Sequence, residues 1–491
     1  MSRIKRQRDI IDRKALIAEL DKVAGWSGSS SKTRGKILQI FKAARNKGGA
    51  EIRRRFETEA LPGSDAVRAQ SFMTDQIIRV LHDFTLQYVY PVANPTTGEL
   101  MSIAATGGYG RAELAPHSDI DLMFLRPYKR TPHTEQMVEY MLYMLWDLGL
   151  KVGHATRSIG ECIRLAREDL TIRTSLLEAR WLWGNEPLFQ EFKNRYASEV
   201  IAGSGADFVE AKLAERDARH EKMGDTRYVL EPNIKEGKGG LRDLQTLLWI
   251  AKYLYQVDDM AELVERDILT RDDARRFKKA QNFLWTVRCN LHYINDRPDD
   301  RLTFNVQDEI GRRMAYGDRA GVRGVERFMK HYFLVAKDVG DLTRTLCAVL
   351  EEQQTKRRFR FPRFSFGRPS IEGFRLEGDR LAIEHFDDFA LKPVKMIRLF
   401  YEAQRHGLDI HPRTLHLVAR SLKRIDGALR ADPEANRLFL DVLTSKNNPE
   451  TALKRLNEAG VIGRFIPDFG RVVAQMQYDM YHVYTVDEHT I

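Results

Sequence analysis

The sequence predicts an α+β protein, a small mixed-sheet core followed by a large helical region, and three observations carry that prediction. The short apolar run Met101-Ser102-Ile103-Ala104-Ala105 ends in Gly107 and Gly108. Asp119 and Asp121 then alternate with Ile120 and Leu122 before Met123, Phe124 and Leu125, so a half-exposed strand gives way to a buried one. From about residue 160 to 350 the apolar spacing turns helical, and Ala, Leu, Glu, Arg and Lys dominate. At 491 residues the chain exceeds the size at which one core keeps growing, so two or three domains are expected.

Residues 1–70 read as a basic helical arm, with helices over 5–60 on either side of a flexible turn at Trp26-Ser27-Gly28-Ser29-Ser30-Ser31. Residues 71–200 read as the core. Phe72 to Pro91 leads in as a helix, and strand, glycine turn, short helix and acidic strand follow. Thr134 to Leu148 has near-helical apolar spacing and stops at Gly149, and Lys151 to Ser158 supplies the next strand. Residues 201–350 form a helical domain, interrupted by Gly237-Lys238-Gly239-Gly240-Leu241-Arg242-Asp243. That loop reads either as a helix start, with Asp243 supporting the first turn, or as a functional loop that shapes a nucleotide pocket or meets a protein substrate.

Residues 351–480 read as a connecting region. Lys356 to Arg368 interleaves cations with aromatics, a pattern that suits single-stranded nucleic acid. The alternation of Phe359, Phe361 and Phe364, Phe366, broken by Pro362, fits short strands with a buried ring face better. Glu372 to Ile383 continues as a hairpin around Gly378-Asp379, and helices return over 393–480.

Composition narrows the function. Apolar content of 43% and charged content of 30% are those of an ordinary globular protein. The longest obvious apolar run, Tyr140 to Trp146, falls far short of a membrane span, so no membrane partner is expected. The Met-Ser-Arg-Ile-Lys-Arg start lacks the apolar core of a secretory signal, and Cys162, Cys289 and Cys347 are scattered, which together suit a cytoplasmic protein. The net charge of +10 is concentrated in residues 1–60, which hold 16 Lys or Arg against 7 Asp or Glu. A basic arm could attract an anionic partner or polyphosphate, a solvated helical face accounts for the excess better, and the near-neutral remainder argues against a nucleic-acid partner.

The chemistry gathers at Gly107-Gly108-Tyr109-Gly110-Arg111 and Ser118-Asp119-Ile120-Asp121. Positions two apart in a strand share a face, so both carboxylates would point one way. Two carboxylates on one rigid face can hold a divalent cation, and Mg²⁺ characteristically combines one or two carboxylates with substrate phosphates. The glycines let backbone approach a ligand closely, and a helix start there offers N–H groups to phosphate.

This stretch resembles the motif of the DNA polymerase beta-like nucleotidyltransferases, a glycine pair followed by Asp-x-Asp. Its longer form, GGYGRAELAPHSDIDL, resembles one branch, the bacterial PII uridylyltransferase/uridylyl-removing enzymes. EPNIKEGKGGLRDLQTLLW at 231–249, LHYINDRPDDRLTF at 291–304 and the stretch 463–490 are similar to the same family. The resemblance implies transfer of a uridylyl group from UTP to a tyrosine of the PII signalling protein, with Mg²⁺ or Mn²⁺. It implies metal ligation by Asp119 and Asp121, and nucleotide binding by Gly107, Gly108, Gly110, Arg111 and Ser118. An adenylyltransferase acting on another protein, or a PII-docking module with weak catalysis, stands as the alternative.

The wider superfamily places a third carboxylate on a following strand, whereas Lys151 to Arg157 contains none. Glu178, Asp169 and His154 are the candidates for that ligand or for the general base. At 481–491 the resemblance implies the start of an HD phosphohydrolase domain, with His489 as its first metal ligand and His482 nearby. The rest of that domain, and two glutamine-sensing ACT domains, would lie beyond Ile491, so uridylyl removal is expected to be lost.

Overall fold

The computed structural model describes residues 4–24, 31–94, 96–128, 130–224, 226–257, 259–319, 321–358, 370–377, 379–477 and 483–491. The chain divides into two compact units. The first comprises Met1–Ala218, Leu248–Asp259 and Gln281–Asp300; the second comprises Arg219–Leu247, Met260–Ala280 and Arg301–Ile491.

The first unit is built on a four-stranded sheet of order β3-β2-β1-β4, from β1 (Ser102–Ala105), β2 (Ile120–Arg126), β3 (Val152–Ser158) and β4 (Arg180–Gly184). Strand β1 runs antiparallel to β2 and β4, while β2 and β3 are parallel, so the sheet is mixed, as the sequence predicts. Side-chain alternation divides it into two packed faces. Ile103, Ala105, Leu122 and Phe124 enter one core with the helices Gly63–Phe84 and Pro132–Asp147. Ala104, Met123 and Leu125 enter another with Ile159–Glu168 and Glu186–Tyr196. The basic arm joins the first core: Leu16 and Leu20 of Arg13–Ala24, with Ile37, Phe41 and Ile52 of Ser31–Thr58, are buried there.

Strand β4 corrects the expectation of unbroken helix after residue 160. Its Arg-Trp-Leu-Trp-Gly sequence follows the helix Leu170–Leu177 closely, with no Gly or Pro signal before it. Tertiary pairing decides its conformation: Trp183 lies opposite Ile103, Trp181 opposite Ala104, and Leu182 is fully buried.

The second unit has its own core. Strands β5 (Ser370–Ile371), β6 (Phe374–Glu377), β7 (Arg380–Ile383) and β8 (Asp409–Ile410) form a small sheet against the helices Lys395–His406, Pro433–Leu443 and Pro449–Glu458. The antiparallel β6–β7 pair is the expected hairpin. Lys356 to Arg358 end the long helix Gly324–Arg358 rather than start a strand, whereas the alternating phenylalanines Phe359 to Phe366 lie outside the described residues. The Trp26 turn and His482 also lie outside them, apart from Ser31, which begins the helix Ser31–Thr58. Among the described residues no helix is long and apolar enough to cross a membrane.

Candidate active site

Asp121 is the second residue of β2, and Asp119 stands two positions before it. Both are exposed while Ile120 and Leu122 are buried, so the carboxylates share the solvent-facing end of one sheet face. Two glycines make room for the Asp121 carboxylate. Gly153, opposite it on β3, would carry a Cβ only 2.5 Å from Asp121 Oδ1. Gly107 would carry one 3.0 Å from Oδ2, and its φ of +56° is itself a conformation that suits glycine. The strand therefore presents Asp121 between two positions without side chains, where backbone is open to close approach.

The glycine turn is a short helix, Gly107–Gly110, joined to β2 by the Thr106 N–H, which donates to Asp121 O at 3.0 Å. Its first i to i−4 bond runs from Gly110 N–H to Thr106 O, so the N–H groups of Gly107, Gly108 and Tyr109 precede the helical ladder. Ser118 lies at the foot of β2, its N–H bonded to Ala115 O at 3.0 Å.

Arg111 occupies a different environment from the one expected of a phosphate ligand. Its side chain is 7% exposed and bonds Glu178 at 2.6 and 2.7 Å and Glu113 Oε2 at 2.9 Å. Burial works against its charge, but the two carboxylates more than offset that and hold its proton more tightly than usual. Gln281 completes the cluster by donating to Glu113 Oε1 at 2.8 Å. The guanidinium is thus a strut beneath the turn.

The three candidates for a third ligand are placed apart from the Asp pair's face or are engaged elsewhere. Both Glu178 oxygens bond Arg111. Asp169 caps the helix Leu170–Leu177 through the Ile172 N–H at 2.7 Å. His154 lies opposite Leu122, so the pleat turns it to the other face, where its ring meets Trp146 at 6.1 Å. The β3 positions on the Asp121 face are Gly153, Ala155 and Arg157. Among the described residues no group of three or more His, Cys, Asp and Glu side chains is arranged to hold a metal.

Two family matches lie further along the chain, beyond these site residues. Residues 207–347 match the family model described as GlnD PII-uridylyltransferase, and residues 374–465 match the uridylyltransferase GlnD third domain. The chain is similar throughout to curated proteins named bifunctional uridylyltransferase/uridylyl-removing enzyme. The one from Azospirillum brasilense is 56% identical over 491 residues, 99% of this chain and 52% of the relative. The one from Rhodospirillum rubrum is 57% identical over 490 residues, 100% of this chain and 52% of the relative. That from Novosphingobium aromaticivorans is 49% identical over 493 residues, 100% of this chain and 54% of the relative. The chain spans about half the length of the curated relatives it matches.

Two residues that sequence reasoning missed support the site. Arg180 of β4 donates to Tyr109 O at 3.2 Å and Gly110 O at 3.3 Å, while Asp75 holds its guanidinium at 2.8 and 3.1 Å. His292, fully buried, accepts the His117 backbone N–H on Nδ1 at 3.3 Å. Its Nε2 therefore carries the proton and faces Asp300 Oδ1 at 3.4 Å, which Arg288 holds at 2.7 Å. Burial pushes His292 below the usual histidine range, against the pull of Asp300. The only sequence signal was that His292 falls in the family-like stretch 291–304; neither residue lies near the Asp pair in the chain.

The loop at 237–243 also resolves in part. Asp243 is buried in the first turn of the helix Leu241–Tyr255, but its carboxylate turns back onto the loop. It accepts the Gly239 N–H at 2.8 Å and bonds His220 at 2.9 Å, with Arg219 alongside. Desolvation opposes its ionisation, yet His220 and Arg219 hold it below the usual carboxylate range.

Proposed function

We propose that this chain transfers a uridylyl group from UTP to a tyrosine hydroxyl of the PII signalling protein, releasing pyrophosphate. The observation that carries the reading is the pair of exposed carboxylates, Asp119 and Asp121, with Asp121 held against Gly107 and Gly153 beside the first N–H groups of the glycine turn. The names of the similar proteins give the uridylyl chemistry. The site fits a divalent cation, because hard carboxylate oxygens facing solvent are the donors that Mg²⁺ or Mn²⁺ takes. A cation bound there would neutralise charge building on phosphate oxygens and help activate a hydroxyl that ordinarily titrates near 10.

The chain's own residues do the rest. Backbone N–H groups at Gly107 and Gly108 face phosphate oxygens, with Gly110 shaping the turn and the Ser118 hydroxyl as a further support. Arg111, through Glu178, and Arg180, through Tyr109 O and Gly110 O, hold the turn beside β4 and are positioning residues. Orientation of UTP against the acceptor hydroxyl then replaces an unfavourable encounter with a fixed geometry.

Incubation with purified PII, Mg²⁺ and α-³²P-labelled UTP or ATP tests the reading. Label should pass to PII from UTP and not from ATP. Transfer from ATP alone, or no transfer from either nucleotide, would overturn it.

A further inference from the structure

The second unit contains a cavity of about 320 Å³ between the segment 222–238 and Arg301. Lys222, Arg227, Glu231, Asn233, Lys238 and Arg301 line it. Its charges do not cancel. Arg301 and Glu231 pair with each other at 3.4 Å, and Glu231 also accepts the Phe304 N–H at 2.9 Å. Glu458 is the carboxylate close to the others, 3.7 Å from Arg227 Nη2 and 3.9 Å from Lys238 Nζ. Among the described residues lining the cavity, the cations Lys222, Arg227, Lys238 and Arg301 outnumber the carboxylate Glu231, and beyond the lining Asp341 and Asp243 act on Arg227 besides Glu458.

Arg227 is the telling residue. Its side chain is 4% exposed, and its Nε and Nη1 are buried with no hydrogen-bond partner among the described residues. A buried, charged donor left unpaired costs about 1–3 kcal/mol or more, so folded proteins rarely keep one without a use. Space has been made for it: a Cβ at Gly340, within the helix Gly324–Arg358, would fall 2.8 to 2.9 Å from the guanidinium. The fork lies flat against helix backbone at the cavity wall. Asn233 adds to the donor character, because its Oδ1 already accepts the Lys235 and Glu236 N–H groups at 3.0 and 2.7 Å, leaving the amino half as its donor.

We infer that this cavity binds a phosphoryl group, as free phosphate or pyrophosphate or as the tail of a nucleotide. A dianionic tetrahedral oxyanion supplies the acceptors that Arg227 lacks and offsets the local excess of positive charge, and guanidinium forks bind such groups in two-point fashion. The volume suits a small ligand of this class. The inference does not rest on the transfer reaction and concerns different residues.

The test is calorimetric titration of the full chain carrying Asp119→Asn and Asp121→Asn, which silences the proposed transfer site. Inorganic phosphate, pyrophosphate and UTP are titrated separately without divalent metal. Saturable binding of phosphate or pyrophosphate assigns a free anion; binding of UTP alone assigns a nucleotide. Lys238→Gln and Lys222→Gln should each weaken the bound species by about tenfold. Arg227→Lys, which keeps the charge and loses the fork, should weaken it at least as much. Circular dichroism identifies any variant that fails to fold, and the exposed Lys222 keeps the test valid if the buried variant does. Absence of saturable binding at millimolar ligand, or affinities unchanged in all three variants, overturns the inference.

Discussion

Two sets of charges in the first unit are treated in opposite ways. Arg111, Glu113 and Glu178 are buried and close on one another. Asp119 and Asp121 are exposed, and Asp121 lies against Gly107 and Gly153. Buried charges must be matched by the protein itself, because desolvation is too costly to leave open. Exposed carboxylates keep their hydration and impose no such demand. On the proposed function the buried set fixes shape and the exposed set serves chemistry, so mutations should separate the two by phenotype.

The largest expected effect is on the exposed pair. Asp119→Asn or Asp121→Asn should lower transfer by about two orders of magnitude or more, by analogy with other electrostatic transition-state groups. The thermal midpoint should stay near that of the parent chain. Normal rates with Mg²⁺ in either variant would break the comparison at its catalytic end.

Arg111→Met should show the reverse pattern. Removing one partner of a buried ion cluster costs about 3–5 kcal/mol, here by stranding Glu178 and Glu113, and urea unfolding should report it. Adding Glu178→Gln to that variant should recover part of the loss. If Arg111→Met instead leaves stability intact and raises the KM for UTP, the residue contacts nucleotide after all.

Gly153→Ala sharpens the contrast further, since it should separate stability from activity in one residue. Alanine costs less backbone entropy than glycine, which favours the strand by roughly 0.5–1 kcal/mol. Its methyl would also crowd Asp121 Oδ1, so transfer should fall and the metal concentration for half-maximal rate should rise. Unchanged metal dependence would show that the glycine is unrelated to the carboxylate.

The smallest effect concerns His292. Because its folded pKa lies below the ordinary value, the folded state binds fewer protons than the unfolded chain. Its contribution to stability is intact above the unfolded value of about 6.5 and is lost as pH falls below it. Protonation would also place a second donor against the His117 N–H. His292→Gln should flatten that acid-side loss in a melt recorded from neutral to mildly acidic pH. An identical slope would assign the effect to other histidines held below the usual range, such as His331 or His416.

Much of this contrast was legible in local sequence. The period of two placed Asp119 and Asp121 on one face, apolar runs marked β1 and β2, Gly149 marked the break before β3, and Gly378-Asp379 marked the hairpin. Whatever depends on distant partners was not legible. Arg111 reads as a free cation in sequence, and only the fold brings Glu178 to it. Strand β4 has no turn signal, so neither it nor the clamp made by Arg180 could be read. His154 falls on the opposite face from Asp121, because the β2–β3 register, invisible in one strand alone, decides which side it faces.

The pairing of Tyr228–Leu230 with Val483–Thr485 has a consequence for synthesis. Leu230 N–H bonds Val483 O at 2.9 Å, Thr485 N–H bonds Tyr228 O at 3.2 Å, and Val229 bridges Tyr484. Every segment of the first unit has been translated once Asp300 has left the ribosome, whereas the second waits for residues 483–485. Domains fold as units in the order their residues emerge, so the sheet bearing Asp119 and Asp121 can consolidate while residues 228–230 still lack a strand partner. The nascent chain thus passes through a stage with a finished first unit and an open edge in the second, the interval in which a chaperone would have most to bind.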